Sequence, residues 1–306
     1  MTTPTPKAAP AKKKNSKPLV LRLISTALRV GGVLAPGYTA NTVRRLLFTP
    51  QKGRVRPNEA QVLQEAAMSR HVLDGEQVCH YVWGSGDKRA VLVHGWCGHA
   101  GQMTSFVKPL VDAGWQVIAL DLPAHGRSTG KTASIIHFKK ALKQAEQVHG
   151  RFHGVVAHSL GAASIALALL KGEVFERAVF FGPVTRFDFI WQQSMDLLGI
   201  PQKLMDAAVR NAEKWLDIRF PDITPENYAP RLATPLLVVH DKNDYEVPFD
   251  CGQKLVAAWP GAQLMVTEKL GHVKVLHDPQ AIARTVSFLN EPAQTMHDWS
   301  RQPGNG

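Results

Sequence analysis

The chain is predicted to be an α/β protein: one mostly parallel central β-sheet with helices on both faces and a small helical cap. Three observations predict this. From about residue 59 onward, short β-branched or apolar runs alternate with helical patterns, as a parallel sheet with crossover helices requires. Of the 306 residues, 44% are apolar and only 20% charged, enough to bury the core of one large domain. One helical stretch, Leu160–Leu170, is apolar all round and must lie buried against the sheet.

The net charge of +11 is very unevenly placed. Residues 1–58 hold 12 Lys and Arg and no Asp or Glu, which leaves 24 basic against 25 acidic residues in the remainder. The body is therefore near neutral, and the charge belongs to the front end. Residues 1–18, rich in Pro, Ala, Thr and Lys, cannot bury enough apolar surface to order themselves and are expected to be a tail. Residues 19–35 place Leu19, Val20, Leu23, Ile24, Ala27, Leu28 and Val30 on one side of a helix, with Arg22, Ser25, Thr26 and Arg29 on the other. Two arginines make this a poor bilayer span, because each costs roughly 2.5–3.5 kcal/mol at the centre of a helix in lipid. They also interrupt the apolar run that a cleavable signal keeps intact. A second segment, 39–48, mixes Leu46, Leu47 and Phe48 with Arg44 and Arg45 before Pro50 stops it. Two readings fit: contact with an anionic membrane surface, or helices packed on the body with a solvated lysine tail. A nucleic-acid partner is not expected, because the basic segment lacks interleaved aromatics and matches no binding module.

The expected organisation is a basic front end at 1–58, an α/β body at 59–292, and a short C-terminal tail at 293–306. Strands are expected at 77–83, 90–94, 116–121, 154–158, 178–182, 236–240 and 263–267, and helices at 102–113, 133–149, 160–171, 250–258 and 279–289. The alternation breaks once, over the 52 residues 183–234. These carry Phe187, Trp191, Met195, Leu204, Trp215 and Phe220 at roughly helical spacing and are read as an inserted cap. Cys79, Cys97 and Cys251 are too few and too far apart for a disulfide framework, so a reducing, cytoplasmic setting is expected, peripheral at the inner face of a membrane if the front end meets lipid. Cys97 is read as a small residue in a tight loop.

The chemistry starts at residues 157–161, Ala-His-Ser-Leu-Gly, which put Ser159 between a strand and a helix with small residues two before and two after it. Such a strand-turn-helix is a nucleophile elbow, so sharp that only Gly or Ala fits beside the serine. A serine hydroxyl needs a base, and the base needs a third group to hold its tautomer. Asp241 and Asp244 both lie just past the carboxyl end of the strand at 236–240 and qualify as that third group. His272 follows the last strand as the candidate base, with His277 its rival.

His94-Gly95-Trp96, residues 121–128 (DLPAHGRS), 157–161, 244–248 and Gly271-His272 together resemble the α/β-hydrolase superfamily in order and spacing, over about residues 59–290. Ala157 departs from the glycine usual at the elbow. The resemblance implies an α/β-hydrolase fold with Asp244 as the acid, His272 as the base and Ser159 as the nucleophile. It further implies an oxyanion hole formed by the backbone N–H groups of Leu160, at a helix N-terminus, and Trp96. No cofactor follows from this likeness, and no metal: His94 and His125 belong to family loops, and neither they nor His99 and His158 stand with acids or cysteines at ligand spacing.

The expected reaction is hydrolysis of a small-molecule carboxylic ester, with a hydrophobic acyl group favoured by the apolar cap. Thioester cleavage, acyl transfer and carbon–carbon hydrolysis use the same residues and remain alternatives. A serine at the elbow disfavours the dehalogenase and epoxide-hydrolase branches. A catalytically silent binding or scaffold protein on the same fold is the alternative from another class.

Overall fold

The computed structural model describes residues 18–292. The expected tails at 1–18 and 293–306 lie outside the described residues, apart from Pro18.

Eight strands form one sheet: β1 (Ala67–Leu73), β2 (Glu76–Trp83), β3 (Lys88–Val93), β4 (Trp115–Asp121), β5 (Gly154–His158), β6 (Arg177–Phe181), β7 (Leu236–Asp241) and β8 (Gln263–Thr267). Their order is β1-β2-β4-β3-β5-β6-β7-β8. The β1–β2 and β2–β4 pairs are antiparallel and all others parallel, so β3 to β8 point their carboxyl ends to one edge.

The helices are α1 (Leu19–Leu34), α2 (Pro36–Leu47), α3 (Pro57–Gln64), α4 (Val107–Asp112), α5 (Ile135–His149), α6 (Leu160–Leu170), α7 (Asp188–Leu198), α8 (Gln202–Leu216), α9 (Pro225–Tyr228), α10 (Phe249–Ala258), α11 (Gly271–Lys274) and α12 (Pro279–Asn290). Period-two alternation splits the central strands between two cores, one on each face of the sheet. Val155, Ala157 and Phe180 join Phe138 and Leu142 of α5 and Ile165 of α6 on one face. Val156, Val179 and Phe181 join Phe106, Leu110 of α4 and Phe288 of α12 on the other. Nine of the eleven residues of α6 are buried, as its uniformly apolar sequence requires.

All seven predicted strands are present, and β1 is an eighth. It pairs with β2 through a tight turn at Asp74 and Gly75, both at positive φ (50° and 83°), a geometry that Asp-Gly favours. As an edge strand it buries only one face, and partly, so its mixed sequence shows no apolar run.

The described residues form two compact units, one of residues 18–44 with 189–211 and the other of 45–188 with 212–292. Within the first, α1 turns its Ser25 and Arg29 side toward the turn after α7. Arg29 Nε donates to Gly199 O (3.4 Å), and Gly199, at φ 66°, has no room for a Cβ because Ser25 Oγ would lie 2.1 Å away. Leu19, Leu23 and Leu34 face outward, each more than 60% exposed, with Val20 and Val30 of α1 and Tyr38 of α2 exposed as well. The helix is amphipathic as predicted, but its apolar face is divided: Leu28 is buried, with Leu21, Ile24 and Ser25 half-buried beside it, while the leucines and valines at its ends face outward. No described helix is long and apolar enough to cross a membrane.

Candidate active site

Ser159 stands between the end of β5 and the start of α6 at φ 54°, ψ −121°, a backbone conformation that costs an L-residue about 1–3 kcal/mol and persists only when its surroundings fix it. Here they do so from both sides. Ser159 N–H donates to Phe181 O (2.9 Å), and Val184 N–H donates back to Ser159 O (3.3 Å). A Cβ at Gly161 would lie 2.5 Å from His94 O and 2.8 Å from Val93 O, which explains the glycine two residues after the serine. Two residues before it, Ala157 is fully buried between Val93 and Phe180, and its methyl group fits the ladder. The Ser159 hydroxyl does not cap α6, so the first N–H groups of that helix, Leu160 among them, keep the orphan donors of any helix start.

Asp244 comes from the loop after β7 and His272 from α11, which follows β8, the next strands but one and two along the same sheet edge. His272 Nδ1 donates to Asp244 Oδ2 at 2.7 Å. Asp244 Oδ1 accepts from the backbone N–H groups of Glu246 (2.9 Å) and Val247 (2.8 Å). Burial opposes the charge on Asp244, but hydrogen bonding from His240 and His272 outweighs it and holds the carboxyl well below the usual carboxylate range. The two rivals have other partners. Asp241 accepts from Asn243 N–H, Thr267 Oγ1 and Leu270 N–H, and so shapes the loop that presents His272. The His277 ring is hydrogen-bonded to Ser105.

Between Ser159 and this pair sits Gly182 at the end of β6, at φ 49°. A Cβ there would lie 3.1 Å from both Asp244 Oδ2 and His272 Nδ1. Two buried histidines that the motifs did not mark for the site complete it. His158 Nε2 donates to His272 O (3.0 Å), and its ring lies 4.4 Å from that of His272, tilted by 42°. His240 Nε2 donates to Val247 O (3.1 Å) and lies 3.4 Å from Asp244 Oδ2. Nothing in their spacing distinguishes them from core residues of β5 and β7; only the face they occupy does.

The loop carrying Trp96 is fastened by the other histidines. His94 Nδ1 donates to Gly95 O (2.7 Å) while its Nε2 accepts from Leu122 N–H (3.1 Å). His125 Nδ1 donates to Pro123 O (2.8 Å) while its Nε2 accepts from Cys97 N–H (3.1 Å). Both rings thus have their tautomers fixed, and burial lowers the pKa of each, to about 4 for His125. Asp121 ties the 121–128 turn to the same loop by accepting from Ala100 N–H, Arg127 N–H and Tyr81 Oη. Gly95 approaches Ser159 so closely that a Cβ would fall 2.7 Å from the serine Cβ. Trp96, half-buried, packs its indole edge-on against His125 (5.3 Å).

Residues 90–285 match the model of the alpha/beta hydrolase family. The chain belongs to this family. A serine hydrolase-like protein of Dictyostelium discoideum is 22% identical over 73% of this hydrolase, which spans 60% of that relative's length. The 2-hydroxy-6-oxononadienedioate/2-hydroxy-6-oxononatrienedioate hydrolase of Escherichia coli K12 is 24% identical over 68% of this chain and 89% of its own. Among solved structures, the carboxylesterase CesB of Bacillus subtilis superposes with a TM-score of 0.58 at 16% identity, covering 76% of this hydrolase and 95% of the esterase. The family and the fold together indicate a hydrolase-type enzyme.

Proposed function

We propose that this hydrolase cleaves carboxylic esters of hydrophobic acids through an acyl-enzyme on Ser159, with 59–292 as the catalytic body and 183–234 as its cap. The observation that carries the reading is the 2.7 Å bond between His272 Nδ1 and Asp244 Oδ2, on the same sheet edge as a serine held at φ 54°. With Nδ1–H given to Asp244, the lone pair of His272 is on Nε2, the tautomer of a general base. Ser159 Oγ attacks the ester carbonyl as His272 Nε2 takes its proton. The oxyanion is met by the backbone N–H groups of Leu160 and Trp96, each such donor being worth about 10²- to 10³-fold in rate. His272 then protonates the departing alcohol, and water activated by the same base releases the acid. The half-buried indole of Trp96 beside Gly95 supports a hydrophobic acyl group.

A second reading, carbon–carbon hydrolysis, is favoured by the activity for which the E. coli relative is named. A fluorophosphonate probe and two substrates separate the possibilities. Wild-type protein is expected to be labelled and Ser159→Ala not, with kcat/KM on p-nitrophenyl esters rising with acyl length. Turnover of 2-hydroxy-6-oxononadienedioate with no ester cleavage would support the second reading. Absence of labelling in wild type would overturn both.

The partner surface in this reading is the outward face of α1, whose exposed leucines lie in a segment without acidic residues. It suits an anionic lipid headgroup layer, and with the reduced cysteines it fits the inner face of a membrane.

A further inference from the structure

Far from Ser159 in strand order, three histidines from three elements meet on one face of the sheet. His71 lies in β1, His80 in β2, and His149 is the last residue of α5. In the β1–β2 ladder Ser69 faces His80 and His71 faces Val78, so His71 and His80 are diagonal neighbours on the same face. Their ring centroids are 4.4 Å apart, and that of His149 lies 5.1 Å from His80 and 6.2 Å from His71. One ring nitrogen from each lies within 4.8 Å of the other two. His80 Nδ1 and His149 Nε2 are 2.9 Å apart, and Ser69 Oγ orients His71 through a 2.9 Å bond to its Nε2. His80 is fully buried and its Nε2 has no hydrogen-bond partner, whereas His71 and His149 are half-buried and leave the cluster reachable from solvent.

Three imidazoles gathered out of water repel one another when protonated. Burial first, and the neighbouring rings second, push His80 down to about 3, and His149 is lowered in the same way. The neutral ring that results is the form that ligates a metal. An all-imidazole donor set suits Zn²⁺ and its first-row neighbours rather than Ca²⁺ or Mg²⁺, which prefer oxygen. With Zn–N bonds of about 2.0–2.1 Å, tetrahedral ligand atoms stand roughly 3.3 Å apart, so the three nitrogens need to close by about 1.5 Å at most.

We propose that His71, His80 and His149 form a binding site for one divalent transition-metal ion of the Zn²⁺ class, which clamps the β1–β2 hairpin to the end of α5. Three protein ligands leave a fourth position for water. β4 and β3 separate β2 from β5, so the clamp stands apart from the Ser159 chemistry and its outcome is independent of the proposed reaction.

The test uses the untagged full chain, stripped with a chelator, dialysed against Zn²⁺ and assayed for bound metal. One retained ion per chain is expected, with a rise in Tm on adding Zn²⁺. His71→Ala and His149→Ala, on separate elements and both half-buried, are each expected to weaken retention at least tenfold and abolish the rise in Tm, with far-UV circular dichroism and fluorophosphonate labelling unchanged. His149→Gln, which keeps size and polarity, serves if the alanine variant does not fold. Failure of wild type to retain zinc, or equal retention by the variants, would overturn the site.

Discussion

At the scale of single residues, the decisive contrast is between two aspartates three positions apart. Asp241 and Asp244 are equally acceptable from their place after a strand. Only the folded loops show that the first is engaged by the amides of Asn243 and Leu270 and by Thr267, while the second meets His272. Asp244→Asn is therefore expected to lower kcat about 10³- to 10⁴-fold with little change in KM, because an amide no longer favours the Nδ1–H tautomer and cannot stabilise the imidazolium. Asp241→Asn is expected to keep most of kcat and lose stability instead. Steady-state kinetics on one p-nitrophenyl ester checks both, and greater loss in the Asp241 variant would reverse the assignment. The proposed nucleophile is easier to read, since small residues around Ser159 between a strand and an apolar helix leave few alternatives. The roles of His158 and His240 were illegible, because a histidine inside a buried strand carries no mark of which loop its ring nitrogen will reach.

At the scale of elements, helix starts and strands were legible wherever a local signal fixed them. Ser134 accepts from Ile136 N–H (3.2 Å) and His137 N–H (3.4 Å) to cap α5, and Asp278 with Pro279 opens α12 by accepting from Ala281 N–H (2.8 Å). The hairpin strand β1 leaves no apolar signature in the sequence, because its burial comes from β2 and α5 and not from its own apolar content. For α1, periodicity shows that two unlike faces exist but not which one the protein covers. Its exposed leucines give the membrane reading a direct test. The full chain is expected to sediment with vesicles of phosphatidylserine and phosphatidylcholine, less so as salt rises, since each basic residue near an anionic surface contributes only about 1 kcal/mol and is screened. Leu23→Glu with Leu34→Glu, at positions more than 60% exposed, should leave the fold intact and weaken sedimentation at least tenfold. Sedimentation equal to that of wild type would exclude α1 as the lipid-facing surface.

At the scale of the whole molecule, buried histidines set a pH limit. Burial is the first cause of low pKa values at His80, His94, His125 and His158, with values of about 3 for His80 and about 4 for His125. An unfolded histidine protonates near pH 6.5, so below that the unfolded chain binds more protons than the folded one and stability falls with pH. Each ring lowered in this way contributes roughly 1.4 kcal/mol per pH unit while the pH lies between its folded and unfolded pKa. Urea midpoints taken at about pH 7.5, 6.5 and 5.5 should drop steeply over the last interval, and a flat profile would show that these rings protonate in the folded state. By itself the sequence determined the alternation of strands and helices, the elbow at Ser159, the loop at His94 to Trp96 and the segregation of charge into the front end, because each is written in residues adjacent along the chain. Only the tertiary structure decided which aspartate meets His272, which side of α1 faces outward, and that His71, His80 and His149 converge. Those contacts join residues from separate elements, and the register of the sheet and the packing of helices on it bring them together.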